Sequence, residues 1–463
     1  MLPPTEFLRK RLEQVVAGKA AQGHDTTGLL AELKRLPDSH DALAAFARRL
    51  RDLPFHDDWP YEEPNDLQAI WAACDPSRPA GLLSDVSDRD MAHRIETAFY
   101  SAVCGCMLGK PLEVDPTLSE IRQAAESVGD WPIRDYISGS LLEKLGRRPP
   151  DWRRTVRERI AYVAPDDDIN YMILGMLILE KKGLAFTTDD LANFWLRNLP
   201  PLWTWGPERT VLIKAAIHSL APECGESSAE WVESWNPSDE ACGAAIRVDA
   251  YGYACPGRPA LAAELAWRDS SFTHRRTGIY GAMFIAAAIA AAFVADKPLD
   301  IFEIALKFVP RRSRFHEIVS DCFQIVAGSL DWLEGYEKIH AKYSQYRHCS
   351  LYKECGLLIN SAHFATDIGD ALCKQVSQGC DTDCFGKLIG SIMGAYFGPG
   401  YLEERWLTPF NDDLRTSLGI FYDRSIRSVA KRMAALPAAI ETISSQNQDH
   451  TESAGPGNTL HHA

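Results

Sequence analysis

Apolar residues recur at three- and four-residue steps through most of the chain, which is the periodicity of amphipathic helices. Stretches with strict alternation of apolar and polar residues, the pattern of half-buried strands, are scarce. We therefore predict an all-α protein with a compact multi-helix fold. Its long helices are expected at residues 95–107, 170–182, 259–267, 279–295 and 416–436.

An N-terminal helical extension is expected at residues 1–65. It holds three short amphipathic segments, at 5–18, 27–36 and 40–53, and then a connector at 54–64 that carries three prolines. Thr5 and Asp41 stand where helix caps are expected.

The main helical domain is expected at residues 66–445. The last residues, 446–463, are rich in Ser, Gly, Asn and His and contain almost nothing to bury. A segment of that composition cannot offset the entropy lost on ordering, so we expect a disordered tail.

Glycine recurs at every fourth position in one predicted helix, as Gly386, Gly390, Gly394 and Gly398. Positions four apart lie on one helix face, and each interior glycine costs about 1 kcal/mol relative to alanine. A stripe without side chains therefore predicts a second helix packed close against this backbone.

Two acidic residues, Asp381 and Asp383, come directly before this helix. Carboxylates in one turn repel each other unless a cation lies between them. A second cluster, Asp166 to Asp168, follows Pro165 at the start of another predicted helix. Helix capping accounts for one or two of these acids but not for three in a row with a second pair elsewhere.

A site built from two helix N-termini is the arrangement that remains, because an EF-hand loop is excluded. Phe385 and Ile392 occupy the fifth and twelfth loop positions, where that motif requires oxygen ligands. Carboxylate-rich, histidine-poor ligation favours Mg²⁺ or Mn²⁺ over Zn²⁺. The thiol of Cys384, close to these carboxylates in sequence, is also compatible with a softer metal.

Two further stretches contain candidate residues with two interpretations each. Glu113 follows a helix that Pro111 ends; it is either an ordinary solvated glutamate or part of the acidic site. Thr273 and His274 precede another helix, where a lone histidine is more often a hydrogen-bonded structural residue than a catalyst.

Composition excludes several functional classes. The net charge of −14 over 463 residues argues against a stable nucleic-acid complex. The first residues lack the apolar core of a signal peptide, and no stretch is long and apolar enough for a membrane span. The twelve cysteines are expected to be free thiols, which indicates a cytoplasmic protein.

Together, four stretches resemble the ADP-ribosylglycohydrolase family, enzymes related to dinitrogenase-reductase-activating glycohydrolase. They are CGCMLGKPLE, PDDDIN, the segment of some fifty residues that begins CGAAIR, and GCDTDCFGKLIGSIMGAYFG. The flanking sequences are similar to those of a longer-chain branch. No single motif is decisive, but four in the family's order are a strong signal.

The resemblance implies an all-α hydrolase with a pair of Mg²⁺ or Mn²⁺ ions. Such an enzyme cleaves the N- or O-glycosidic bond of an ADP-ribosyl or related ribosyl group on a protein, a nucleic acid or an ADP-ribose-containing small molecule. Glu113, Asp167 and Asp381 are then the catalytic candidates. The implied metal ligands are Asp166, Asp167, Asp168, Asp381, Asp383 and Cys384. The implied substrate-binding residues are Trp203, Trp205, His274, Tyr280, Gly281, Gly379 and Cys380, with backbone N–H groups of the two helix N-termini directed at the diphosphate.

The chain departs from the family pattern at three positions: Asp166 and Ile169 replace the threonines of the early motif, and Cys384 replaces that of the late motif. Because Ile169 cannot coordinate and Cys384 is a poorer Mg²⁺ ligand, two other functions stay open. One is a non-catalytic ADP-ribose or nucleotide sensor, and the other is a structural protein that kept the pocket.

Overall fold

The computed structural model describes residues 3–86, 90–113, 115–221, 228–346 and 348–453. Within these ranges the chain forms twenty-two α-helices, several short 3₁₀ segments and only isolated β-bridges. The predicted all-α class is confirmed. Among the helices described, none combines the length and apolar character needed to cross a bilayer.

The N-terminal extension contains the three expected helices, α1 (Thr5–Ala21), α2 (Leu29–Arg35) and α3 (His40–Arg51). Their apolar faces form a small core that also includes Trp235 of the main domain. The extension is therefore packed onto the rest of the chain.

The helix caps in this extension differ from the prediction. Pro4 precedes α1, and Ser39 caps α3 by accepting a hydrogen bond from the backbone N–H of Ala42. Thr5 and Asp41 lie one and two positions further on, inside the helices, so the expectation that they are caps was wrong.

A buried ion pair attaches the connector to the main domain. The guanidinium of Arg314 donates to both oxygens of Glu63, at 2.6 and 3.0 Å, and to the carbonyl of Ala21 at 3.2 Å. Glu240 accepts a further hydrogen bond from Arg314 at 2.6 Å. One side chain thus holds the end of α1 and the connector together.

The main domain contains nineteen helices. They are α4 (Leu67–Ala73), α5 (Met91–Gly109), α6 (Leu118–Val128), α7 (Gly139–Leu145), α8 (Trp152–Thr155), α9 (Asp167–Lys182), α10 (Thr188–Asn198), α11 (Gly206–Leu220), α12 (Ser228–Ser234), α13 (Asp249–Ala254), α14 (Pro259–Ser270), α15 (Thr277–Ala292), α16 (Pro298–Leu306), α17 (Arg314–Ala327), α18 (Trp332–Lys342), α19 (Leu351–His363), α20 (Ile368–Ser377), α21 (Thr382–Phe397) and α22 (Ile426–Ser453).

The centre of this domain is the pair α5 and α21, and the glycine stripe is the reason the two backbones approach so closely. A β-carbon on Gly386 would lie 2.5 Å from the carbonyl oxygen of Gly105, and one on Gly390 would overlap the backbone of Ser101. The predicted close helix packing is confirmed. It brings the N-terminus of α21 beside the C-terminus of α5.

One prediction about the C-terminal region was wrong. The helix expected from residue 416 begins only at Ile426, because the preceding residues form other hydrogen bonds: Leu414 N–H donates to the Arg424 carbonyl at 2.7 Å, and Ser417 N–H to Asn170 Oδ1 at 3.0 Å. The helix continues to Ser453. The expected disordered tail at 446–463 falls mostly on residues 454–463, which lie outside the described residues, and it stays a prediction.

Candidate active site and metal centre

The first acidic turn begins α9. Asp166 is its N-cap, and the Asp166 side chain accepts a hydrogen bond from the backbone N–H of Asp168 at 2.9 Å. Asp167 and Asp168 occupy the first helical turn. Capping therefore explains Asp166 but leaves the other two carboxylates without a structural role.

The second acidic turn begins α21. Gly379 and Cys380 both have a positive φ, of 76° and 63°, and the Cys380 N–H donates to the carbonyl of Pro116 at 3.3 Å. This tight turn presents Asp381 as the residue before the helix, with Asp383 in the first turn. Gly379 and Cys380 shape the turn and do not line the cleft described below, in contrast to the prediction that they contact substrate.

Lys110 joins the two acidic turns. It lies in a 3₁₀ segment, Lys110–Leu112, that follows α5 directly. Its ammonium is 2.6 Å from Glu113 Oε2, 2.6 Å from Asp166 Oδ2 and 3.0 Å from Asp383 Oδ2. Burial lowers the pKa of Lys110, but the carboxylates outweigh this and raise it well above its usual value. The turns that the sequence separates by more than two hundred residues therefore meet.

A second buried ammonium, that of Lys387, lies beneath the site. It is 2.5 Å from Asp249 Oδ2 and 3.6 Å from Asp168 Oδ1, and all three side chains are fully buried. Burial lowers the pKa of Lys387, whereas Asp249 and Asp168 raise it, with a net increase. This lysine offsets part of the charge of Asp168.

Glu354 supports the second turn from α19. Its Oε1 accepts the backbone N–H of Asp381 at 3.0 Å. The N–H of Asp381 is therefore occupied, as is the N–H of Asp168 by Asp166. These two groups are therefore not free for a diphosphate, whereas the sequence had led us to expect backbone N–H groups of both helix N-termini directed at it.

The carboxyl groups strongly affect one another. Burial, and then the neighbouring Asp166, raise the pKa of Asp167 well above its usual range; burial does the same for Asp168. Burial also raises the pKa of Asp381, to about 6. Burial alone would raise the pKa of Asp383, but Lys110 outweighs it and leaves that pKa lowered. The two lysines thus do not neutralise all the negative charge at this site.

Several buried carboxylate oxygens at the site are not occupied by hydrogen bonds. Within the described part of the chain, these buried atoms have no hydrogen-bond partner: both oxygens of Asp168, Oδ1 of Asp381, Oδ1 of Asp383 and Oε2 of Glu354. An unpartnered buried carboxylate oxygen is costly, and oxygen is the ligand type that Mg²⁺ and Mn²⁺ prefer. The donor set therefore fits a hard divalent cation.

The two acidic turns border a cleft of about 340 Å³, within the range of small-molecule sites. Of the residues expected at the site, Glu113, Asp167, Asp381, Cys384 and Trp205 line it. The lining also includes Tyr171, Pro207 and Glu208, with Cys242, His348 and Cys349 close to Asp381.

A family model described as ADP-ribosylglycohydrolase matches residues 87–441. The chain belongs to this family. Among solved structures it is similar to a chain titled "ADP-ribosylglycohydrolase-related protein complex", with 16% identity and a TM-score of 0.47 over 77% of this chain and 99% of that one. None of the curated proteins compared matches this chain.

In this ADP-ribosylglycohydrolase-family protein, His274 lies behind the cleft wall. Arg247 donates to Thr273 Oγ1 at 2.8 Å, and Thr273 Oγ1 is 2.8 Å from His274 Nδ1. His274 Nε2 is 3.7 Å from Glu208 Oε1, and Arg247 also pairs with Glu208 at 2.8 Å. His274 is thus a buried partner of a lining residue, in agreement with the structural interpretation of a lone histidine.

Three other expected substrate-binding residues lie outside the cleft lining. The Tyr280 hydroxyl donates to the Pro64 carbonyl at 2.5 Å, so this ring holds the connector. Gly281 allows Leu351 to pack against α15. Trp203 is 38% exposed in the loop before α11, whereas Trp205, 61% exposed, reaches the cleft.

Sequence reasoning missed Lys110, Lys387, Glu354, Cys242, His348 and Cys349. The sequence did contain a signal that Lys110 and Lys387 belong to the site. Lys110 directly precedes the Pro-x-Glu of the first motif, and Lys387 stands one turn after Asp383 on an otherwise apolar, glycine-striped helix. A charge on such a face needs a buried counter-charge.

Proposed function

We propose that the chain is a divalent-cation-dependent hydrolase. It would cleave the N- or O-glycosidic bond that joins ADP-ribose, or a related ribosyl group, to a protein, a nucleic acid or a small molecule. The observation that carries the proposal is the cleft shared by Glu113, Asp167 and Asp381 beside carboxylate oxygens that lack partners. Membership of the family supports the reaction class.

Asp167, Asp168, Asp381 and Asp383 are the residues that would hold Mg²⁺ or Mn²⁺. When bound, such a cation orients ribose hydroxyls and lowers the pKa of a coordinated water. Lys110 would favour the ionised form of Asp383, and Lys387 that of Asp168, before a cation arrives, because each ammonium stabilises the charged form of its neighbour.

Glu113 is the proposed general base. Its side chain is 30% exposed on the cleft, where it can meet a water molecule, and Lys110 holds its Oε2 at 2.6 Å. Burial, and then the carboxylate of Asp383, raise the pKa of Glu113 to about 10. This leaves the Glu113 carboxyl group protonated at neutral pH in the metal-free protein, and a divalent cation held by the neighbouring aspartates would favour the ionised form that accepts a proton.

Trp205 is the proposed platform for the adenine. It lines the cleft, and the guanidinium carbon of Arg209 lies 4.8 Å from the centre of its ring. An exposed indole that packs against a guanidinium on one side can offer its other flat apolar face to a purine.

The test is turnover of an ADP-ribosylated substrate with Mg²⁺ or Mn²⁺, with EDTA, and by the double variant Asp381→Asn, Asp383→Asn. We expect turnover only in the wild type with cation. Asp367→Asn, which changes the N-cap of α20 to another good cap, is the matched control. Equal turnover in all samples would contradict the metal-dependent reaction, and calorimetric binding of ADP-ribose without turnover would favour the sensor.

A further inference from the structure

Three thiols from distant parts of the chain converge on one carboxylate. Cys242 begins the 3₁₀ segment Cys242–Arg247, Cys349 lies in the loop before α19, and Cys384 is in the first turns of α21. The Cys242 thiol donates to Asp381 Oδ2 at 3.3 Å, and the Cys349 thiol donates to the same oxygen at 3.5 Å.

The ligand atoms of these residues form two groups, each compact enough to hold one ion. Those of Cys242, Asp381 and Cys384 all lie within 4.8 Å of one another, and so do those of His348, Cys349 and Asp381. Asp381 belongs to both groups. Its other oxygen, Oδ1, is buried and has no hydrogen-bond partner among the described residues.

Packing alone does not account for this arrangement. A free cysteine in a core behaves as a small hydrophobe surrounded by hydrocarbon. Here two thiols point at a carboxylate, and all three sulfur-bearing residues line the cleft together with His348. Cysteine with histidine and a carboxylate is the ligand chemistry of thiophilic cations such as Zn²⁺.

We propose that Cys242, Cys384 and Asp381 bind one thiophilic divalent cation of the Zn²⁺ class, with Cys349 as the fourth ligand. His348 lies beside it on the solvent side. The site shares Asp381 with the proposed hard-cation ligands and Cys384 with the metal ligands that the resemblance implies, but it does not use Asp167, Asp168 or Asp383. Binding replaces the thiol protons, which are released to solvent. The inference goes beyond the proposed hydrolase activity because it requires no ADP-ribosyl substrate.

The experiment titrates Co²⁺, a spectroscopic substitute for Zn²⁺, into the full chain after reduction and removal of metals by a chelator. We expect sulfur-to-cobalt charge-transfer absorption that saturates at one equivalent and disappears when Zn²⁺ is added. An excess of Mg²⁺ leaves the absorption in place, because Mg²⁺ does not compete for sulfur.

Three variants identify the ligands. Cys242→Ser and Cys384→Ser are expected to abolish the charge-transfer absorption. Cys373→Ser, which alters a thiol of similar burial on α20, is expected to retain it. Circular dichroism checks that each variant is folded. Cys349→Ser, which changes a half-buried residue in a loop, provides a ligand variant that disturbs the core least, and it is expected to reduce the absorption.

Two results would overturn the proposal: no charge-transfer absorption in the reduced wild type, or the same absorption in Cys242→Ser and Cys384→Ser as in the wild type. Neither result depends on turnover, so a failure here is separate from a failure of the hydrolase proposal.

Discussion

The Lys110 ammonium donates a hydrogen bond to Asp383 Oδ2 at 3.0 Å, across 273 positions of sequence. This contact holds the end of α5 against the start of α21. Because the same ammonium also reaches Asp166, it stands between the two acidic turns that form the site.

Replacement of Lys110 by glutamine is expected to destabilise the protein in the presence of a chelator. The change leaves buried carboxylates uncompensated, which costs about 3–5 kcal/mol. Urea denaturation in EDTA measures the loss of unfolding free energy. Added Mg²⁺ is expected to restore more stability to Lys110→Gln than to the wild type, since a cation then replaces the missing charge.

Lys338→Gln is the control for this variant, because Lys338 forms an exposed pair with Glu334 one turn away. Its effect is expected to stay within about 0.5 kcal/mol. If Lys110→Gln were no less stable than Lys338→Gln, Lys110 would not be the counter-charge of the site.

Gly390→Ala is expected to reduce the unfolding free energy by about 1–3 kcal/mol through overpacking. An added methyl group would overlap the backbone of Ser101 on α5. The sign of this change in unfolding free energy is informative, because alanine stabilises a helix by about 1 kcal/mol relative to glycine where there is space for the methyl group.

Gly139→Ala is the control, because a β-carbon on this helical glycine would come no closer than 3.5 Å to its neighbours. This variant should show no such loss. Equal stabilities of the two variants in thermal or urea unfolding would count against the close packing of α5 and α21.

Glu113→Gln is expected to lower kcat by about 10²–10⁴-fold, the usual contribution of a general base. KM and the affinity for Mg²⁺ should change little, because the amide keeps the shape of the side chain and the core aspartates remain. The measurement is steady-state kinetics on an ADP-ribosylated substrate, with the exposed Glu143→Gln as control. A variant with wild-type kcat would remove Glu113 from the proton transfer.

Protonation of His274 is expected to lower the unfolding free energy as the pH drops below about 6.5. Burial, and then the nearby Arg247, lower the pKa of His274 well below its usual value. In that range the unfolded chain binds a proton that the native histidine does not, so the contribution of His274 to the unfolding free energy decreases by up to about 1.4 kcal/mol per pH unit.

Urea denaturation at several values between about pH 7 and pH 5 measures this slope. His274→Gln is expected to reduce it, whereas His56→Gln, at an exposed position, is expected to leave it unchanged. Identical slopes for His274→Gln and the wild type would mean that His274 is not held neutral in the native state.

Much of the local architecture could be predicted because it depends on short-range regularities. The three-to-four-residue periodicity predicts the helices, and Gly386, Gly390 and Gly394 predict a close helix partner without saying which. The clustering of Asp166 to Asp168 and of Asp381 with Asp383 places more carboxylates at the two helix N-termini than capping requires, and so predicts a cation site. The same periodicity predicts helix over the ten residues before α22, and this prediction is wrong because their hydrogen bonds go to distant groups such as Asn170.

Which residues share the site was decided by the tertiary structure. Nothing within a few positions of Cys242 or Cys349 shows that each would reach Asp381, and Tyr280 faces Pro64 rather than the cleft because the connector lies there. The physical reason is that helix periodicity reports which face of a helix is buried, whereas the identity of the group it meets depends on how helices far apart in sequence pack together.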